Sequence, residues 1–211
     1  MTEELEEYLL GHIDAEPELL RRINRTTNVT LINGRMCSGH LQGRLLRMLT
    51  TMIAPKLAIE IGTFTGYSAL CIAEGLPEGG ALHTFDINDE IEEIAAANFA
   101  DSPYGRLITM HIGDALELVP QVAGAESVDM AFIDGNKRHY TEYYEMMLPL
   151  LRRGGYILAD NTLWGGKVTD TTAHDAQTLG ILRFNDHVAA DERVERVILP
   201  LRDGLTIIRK R

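Results

Sequence analysis

"IEIGTFTGYSAL", residues 59–70, passes from an apolar β-type run to a glycine, crosses a short loop to a second glycine, and resumes as an apolar helical run. Strand, glycine-bounded loop and helix in that order open a βαβ unit. Outward from it, β-type runs at 57–61, 81–86, 107–113, 128–134 and 154–160 alternate with helical runs near 66–76, 89–100, 115–123 and 139–151. Such alternation predicts an α/β fold: a doubly wound, Rossmann-like, mostly parallel sheet with crossover helices. The carboxyl end differs. "VERVILPL" (194–201) and "LTIIRK" (205–210) flank the turn "RDG", which predicts an antiparallel hairpin on the sheet edge and brings the strands to seven. Residues 1–53 place Leu5, Leu9 and Ile13, then Leu41, Leu45, Leu49 and Ile53, at close to helical spacing, an amino-terminal helical cap with "TTNVTLINGRMCSG" (26–39) as the loop between its helices. No repeat or Pro/Gly/Ser linker divides the chain, so 1–211 reads as one domain, with a helical extension at 1–53 and an α/β core at 57–211.

The 211 residues, 45% hydrophobic, suffice to bury a sizeable core. A formal charge of -11 opposes a general affinity for nucleic acid or anionic lipid, both polyanions. The arginines at 21, 22 and 25 and the basic end at 209–211 read as solvated faces. Two cysteines give no disulfide framework, and Cys71 falls in the apolar run after the loop, as a core thiol would. The acidic start "MTEELEEYLL" is unlike a signal peptide, and no apolar run approaches the roughly 18 residues that span a bilayer. The expectation is a cytoplasmic protein with neither membrane nor nucleic-acid partner.

In open α/β sheets ligands bind beyond the carboxyl ends of the strands. Gly62 and Gly66 let the backbone approach such a ligand, but their spacing is G-x-x-x-G, neither the dinucleotide fingerprint nor a P-loop. A diphosphate, and with it a nicotinamide oxidoreductase, is disfavoured. Glu60, inside the strand, would repel phosphate but accept from an ammonium group. Asp86 ends the second strand where a carboxylate takes ribose hydroxyls, and Asp114 follows the third, near where an adenine amino group would lie. An adenosine ligand without phosphates and with positive charge satisfies all of these, and S-adenosylmethionine is such a ligand.

"AFIDGNK" and "LADNTLW" bring Asp134, Asp160 and Asn161 to the same sheet edge. Three oxygen ligands suit a hard divalent cation, Mg²⁺ first, with Mn²⁺ or Ca²⁺ as substitutes, rather than zinc. Lys137 follows Asp134 by three residues and can reach the same pocket. A cation chelating two adjacent phenol oxygens acidifies one, Lys137 takes or stabilises that proton, and the phenolate attacks the sulfonium methyl. The expected partner is thus a small aromatic diol. A nucleoside-binding protein without catalysis is the alternative, and it would have no use for both a metal site and a base.

"EIGTFTGYSAL", "FDIND", "GDALE", "AFIDGNKRHYTEYYEMMLPLLRRGGYILADNTLWGGKV" and "FNDHVAADERVERVILPLRDGLTIIRK" together resemble the cation-dependent O-methyltransferases, the caffeoyl-CoA O-methyltransferase group, with catechol O-methyltransferase as a distant cousin. The likeness runs from about residue 30 to the end. It implies metal ligation by Asp134, Asp160 and Asn161, and catalysis by Lys137 with Asp134. It also implies donor contacts from Glu60, Gly62, Ser68 and the backbone around Cys37. Asp86 would hold the ribose, Asp114 and Ala115 the adenine, and Asp134 would lie against the donor as well. Trp164 would wall the acceptor site, and a homodimer is expected. The resemblance thins at "MCSGHLQGRLL" (36–46), where Arg44 stands for a common glutamine.

Overall fold

The structure is a computed structural model that describes residues 2–172 and 175–211. The chain runs α1 (Glu3–Leu10), α2 (Glu18–Thr30), α3 (Gly39–Ile53), β1 (Leu57–Ile61), α4 (Tyr67–Gly75), β2 (Ala81–Asp86), α5 (Glu92–Ala100), β3 (Ile108–Ile112), α6 (Ala115–Val122), β4 (Val128–Ile133), α7 (Tyr140–Leu150), β5 (Leu151–Asp160), α8 (Ala176–Ala190), β6 (Val194–Leu199) and β7 (Leu205–Lys210). The strands form one seven-stranded sheet of order β3-β2-β1-β4-β5-β7-β6. β1 to β5 are parallel, and β7 runs antiparallel between β5 and β6. That is the doubly wound sheet the alternation predicts, with the Asp-Gly hairpin closing its edge.

Both faces of the central strands β1 and β4 are covered, so these strands are largely apolar on both sides, whereas the edge strand β6 is mostly exposed. Ile59, Phe85, Ala131 and Ile157 pack one face with residues of α6, α7 and α8. Ala58, Leu82, Met130 and Leu158 pack the other with residues of α2, α3 and α4. Cys71 is fully buried there, as its place in the apolar run predicts. Glu60 breaks the pattern: it sits mid-strand in β1 and is 0% exposed. Among the described residues no helix is long and apolar enough to cross a membrane.

Three expectations are corrected. The stretch 26–39 is not all loop, because α2 continues to Thr30 before a 3-10 turn at Gly34–Met36. Thr27 lies buried and donates to Thr65 Oγ1 at 3.0 Å, while Thr30 Oγ1 donates to the Thr26 carbonyl at 2.8 Å, so two hydroxyls of a poor helix-forming run are satisfied on the helix. β5 begins at Leu151, three residues early, with a register irregularity opposite Val128–Met130 that Gly154 (φ 76°) accommodates. The third is an added element: α8, capped by Asp175, whose side chain accepts from Thr178 N, buries Ile181, Phe184 and Val188 on one face.

Candidate active site

Strand order reverses between β1 and β4, and the crevice at that switch point is where α/β sheets bind ligands. The backbones there are in contact: Asp134 N donates to the Ile61 carbonyl at 2.8 Å. Gly62, at φ 105°, admits no side chain, since a Cβ would stand 2.6 Å from the Asp134 carbonyl oxygen. Gly66, at φ 83°, opens α4 with the Phe99 ring where its Cβ would be. The two glycines therefore serve close packing of the loop as well as close approach by a ligand.

Asp86 braces this loop. Its Oδ2 accepts from Thr63 N at 3.1 Å and Phe64 N at 2.9 Å, and its Oδ1 from Asn88 N at 3.0 Å. Glu60 lies beneath. Thr84 Oγ1 donates to its Oε2 at 2.6 Å, and the Ser68 hydroxyl is the other side chain that favours its charged form. Burial pushes the Glu60 carboxyl up to about 8, and the charges of Asp134 and Asp86 add to the rise. Ser68 is buried on the first turn of α4. Asp114 proves to be the N-cap of α6, accepting from Leu116 N at 2.9 Å, and Ala115 is buried against the core, so Ala115 can offer a ligand mainly backbone and methyl surface.

Beyond β4 and β5 the second cluster assembles. Lys137, 7% exposed, donates to Asp134 Oδ1 and to Tyr140 Oη, each at 2.7 Å. Tyr140 is fully buried, and its hydroxyl lies 3.0 Å from the Asp160 carbonyl oxygen and 3.2 Å from that of Ile133. Burial and the neighbouring Asp134 and Asp160 charges hold it well above the usual phenol range, so it stays a neutral hydroxyl. Asp160, 4% exposed, accepts from Gln42 Nε2 at 2.6 Å and from Asn161 N at 2.8 Å. Burial, then repulsion from Asp134, pushes its carboxyl up to about 6.

Asn161 and Trp164 occupy left-handed backbone at φ 58° and 47°. The hairpin turn holds them there: the Gly204 carbonyl accepts from Thr162 N at 3.1 Å, and the Asp203 carbonyl from Leu163 N at 2.7 Å and Trp164 N at 3.1 Å. Lys137 Nζ stands 6.0 Å from the Trp164 ring centre, and the indole nitrogen is buried without a partner. The structure thus gathers Asp134, Lys137, Asp160 and Trp164 around one cluster. Cys37, Gln42 and Arg202 adjoin it through the Cys37 carbonyl, which Arg202 holds by two contacts of 3.2 Å.

Sequence reasoning missed Gln42, Tyr140 and Arg202. Tyr140 had a signal, since Lys-x-x-Tyr on one turn places both side chains together. The glutamine that reaches the site is Gln42, whereas Arg44 turns away to Glu74 Oε2 at 2.6 Å. Among the described residues another group of potential metal ligands comprises Glu145, His187 and Asp191. Arg193 already serves it, reaching Glu145 at 2.8 Å and Asp191 at 2.6 Å, so a cation there would meet a guanidinium.

A family model for O-methyltransferases matches residues 11–211. Caffeoyl-CoA O-methyltransferase 2 of Zea mays is 36% identical, covering 99% of this chain and 83% of its own length. Among solved structures, an O-methyltransferase of Streptomyces achromogenes involved in tomaymycin synthesis, in complex with SAM, is 30% identical at a TM-score of 0.89, covering 100% of this chain and 99% of that one. One from Bacillus cereus, in complex with SAH, is 26% identical at 0.87, covering 99% and 97%. The fold is that of the S-adenosylmethionine-dependent methyltransferases. The chain belongs to the O-methyltransferase family of caffeoyl-CoA type, and is an enzyme that methylates oxygen.

Proposed function

We propose that the enzyme transfers a methyl group from S-adenosylmethionine to one hydroxyl of a vicinal dihydroxy aromatic, with a divalent cation held by Asp134, Asp160 and Asn161. The observation that carries this reading is the pairing of two carboxylates at the ends of β4 and β5, one of them buried with its acidity suppressed, beside one buried lysine. Two carboxylates and an amide form a hard oxygen set that fits Mg²⁺. The buried Glu60 carboxyl beneath the loop fits the donor's ammonium group, the loop around Gly62 and Ser68 its methionine part, Asp86 the ribose, and Asp114 with Ala115 the adenine.

When bound, the cation supplies Lewis acidity to the diol, and the donor an electrophilic methyl. The chain's residues do the rest. Asp134 orients Lys137, and Tyr140 supports it from below, leaving the third direction of the amino group for the acceptor hydroxyl. There Lys137 takes the proton or stabilises the developing phenolate, a contribution of about 10²–10⁴ in rate. Trp164 forms a flat apolar wall for the ring. The donor's positive charge suits a crevice where Asp86, Asp134 and Asp160 outnumber Lys137. A donor-binding protein without catalysis would leave Lys137 and its two carboxylates without purpose. By family resemblance the working unit is a homodimer.

The test is S-adenosylhomocysteine release with a panel of 3,4-dihydroxy aromatics, with Mg²⁺ and with excess EDTA. Turnover on diols that EDTA abolishes is expected. EDTA-resistant turnover would sink the cation's role, and turnover confined to monophenols the diol's.

A pH dependence follows. The Asp160 carboxyl lies at about 6 in the fold against 3.8 ordinarily, so its contribution to stability is full below 3.8 and is lost as pH rises through 6. Above that, a bound cation relieves two adjacent charges. Saturating Mg²⁺ at about 100 times its Kd adds ~2.7 kcal/mol, or roughly 5–10 °C in Tm for a chain of this size. Differential scanning fluorimetry should show that rise at about pH 7.5 and only about half of it at about pH 5. Equal rises at both would contradict the assignment.

A further inference from the structure

The hydrogen bonds of Asp160 continue into two residues to which no catalytic role has been given. Gln42, on α3 and 1% exposed, donates from Nε2 to Asp160 Oδ2 at 2.6 Å. Its Oε1 accepts from Arg202 Nη1 at 3.3 Å. Arg202 sits in the β6–β7 turn at φ 48°, and its guanidinium is anchored on the Cys37 carbonyl by Nη1 and Nη2, both at 3.2 Å. We propose that Arg202 and Gln42 are positioning residues that hold Asp160 ready to ligate the cation, Arg202 acting through Gln42. This rests on the cation site of the proposed function.

The physical reason is the asymmetry of the amide. A carboxylate only accepts and a guanidinium only donates, so a glutamine between them is satisfied in one orientation: NH₂ toward Asp160, carbonyl toward Arg202. In the reverse orientation Oε1 would face Asp160, acceptor against acceptor, in a site with little water. Arg202 excludes that orientation by occupying Oε1. Asp160 is then gripped at both oxygens, by Gln42 at Oδ2 and by Asn161 N at Oδ1, and each oxygen keeps a lone pair for a cation. Partners of this kind behind ligating carboxylates are typically worth about 10–100-fold in metal affinity. The pair also ties three separate stretches together, the loop at Cys37, α3 and the hairpin turn, around one ligand.

The experiment is isothermal titration of Mn²⁺ into the whole chain without donor or acceptor, so that no turnover enters the readout. The proteins are the parent, Gln42→Leu, Arg202→Ala, the double variant, and Asp160→Ala to mark which bound Mn²⁺ is the relevant one; Tm reports folding. Each single variant is expected to weaken that Mn²⁺ by about tenfold or more, and the double variant to be no weaker than Gln42→Leu. Variants with parental Tm that bind Mn²⁺ as the parent does would overturn the positioning role, and so would single losses that multiply in the double variant. Should Gln42→Leu fail to fold, Arg202→Ala, at an exposed turn position, decides the matter by itself. A parent that binds no Mn²⁺ sensitive to Asp160→Ala would instead overturn the cation site.

Discussion

Asp160→Ala is expected to lower turnover by about three orders of magnitude or more, since a metal's charge stabilisation is several kcal/mol and 1.36 kcal/mol is about tenfold. Donor affinity should fall far less, because Glu60, Asp86 and the Gly62 loop lie on β1, β2 and the turn after β1, not on β5. Steady-state kinetics, with separate S-adenosylhomocysteine titration, read the two effects apart. The fold should hold: the substitution removes a buried carboxylate whose ionisation burial and Asp134 both oppose, and only Gln42 Nε2 and Asn161 N lose their acceptor. Undiminished turnover would rule out the proposed metal site.

Lys137→Met should cost about 10²–10⁴ in kcat, the usual worth of a positioned proton acceptor, and leave the KM for the donor within about threefold. Its stability signature is separate. Lys137 is almost fully buried between Asp134 and Tyr140, so its removal strands the Asp134 charge, and breaking such a pair costs about 3–5 kcal/mol. A cation bound to the same carboxylate replaces the missing charge. The variant should therefore melt well below the parent in EDTA and recover most of the difference in Mg²⁺. A Tm deficit unchanged by Mg²⁺ would separate the lysine from the cation site, and retained kcat would deny it a part in proton transfer.

The elements that position the site were legible because local chemistry agrees with the fold. The run 57–75 is apolar strand, glycine loop and apolar helix, and "RDG" between β-type runs made the hairpin. The α8 segment was not assigned from the sequence, and Gly180 in its middle weakens the local helix signal. The structure shows why it is glycine: a Cβ there would stand 2.3 Å from the Lys137 carbonyl oxygen. The glycine lowers helix propensity so that α8 can press on the turn that carries Lys137. Likewise "TTNVT" (26–30) is a weak helix former locally, and the Thr27–Thr65 contact overrides that preference.

The same division runs through the site. Asp134 and Lys137, three residues apart, and Asp160 beside Asn161 share local motifs, and strand-end placement predicted that they meet. Gln42 lies 118 residues from Asp160, and Arg202 lies 160 from Gln42. No spacing rule joins such residues, because only the packing of α3 and the hairpin turn on the sheet brings them together. The Asp114 carboxylate showed its local role, an N-cap, which spacing alone could not separate from ligand binding.

The most direct measurement is anomalous diffraction from crystals of the protein grown with Mn²⁺ and S-adenosylhomocysteine. The account predicts one strong Mn²⁺ peak bounded by carboxylate oxygens of Asp134 and Asp160 and the side-chain oxygen of Asn161, at about 2–2.6 Å. A peak only at Glu145, His187 and Asp191, or none between Asp134 and Asp160, would contradict it.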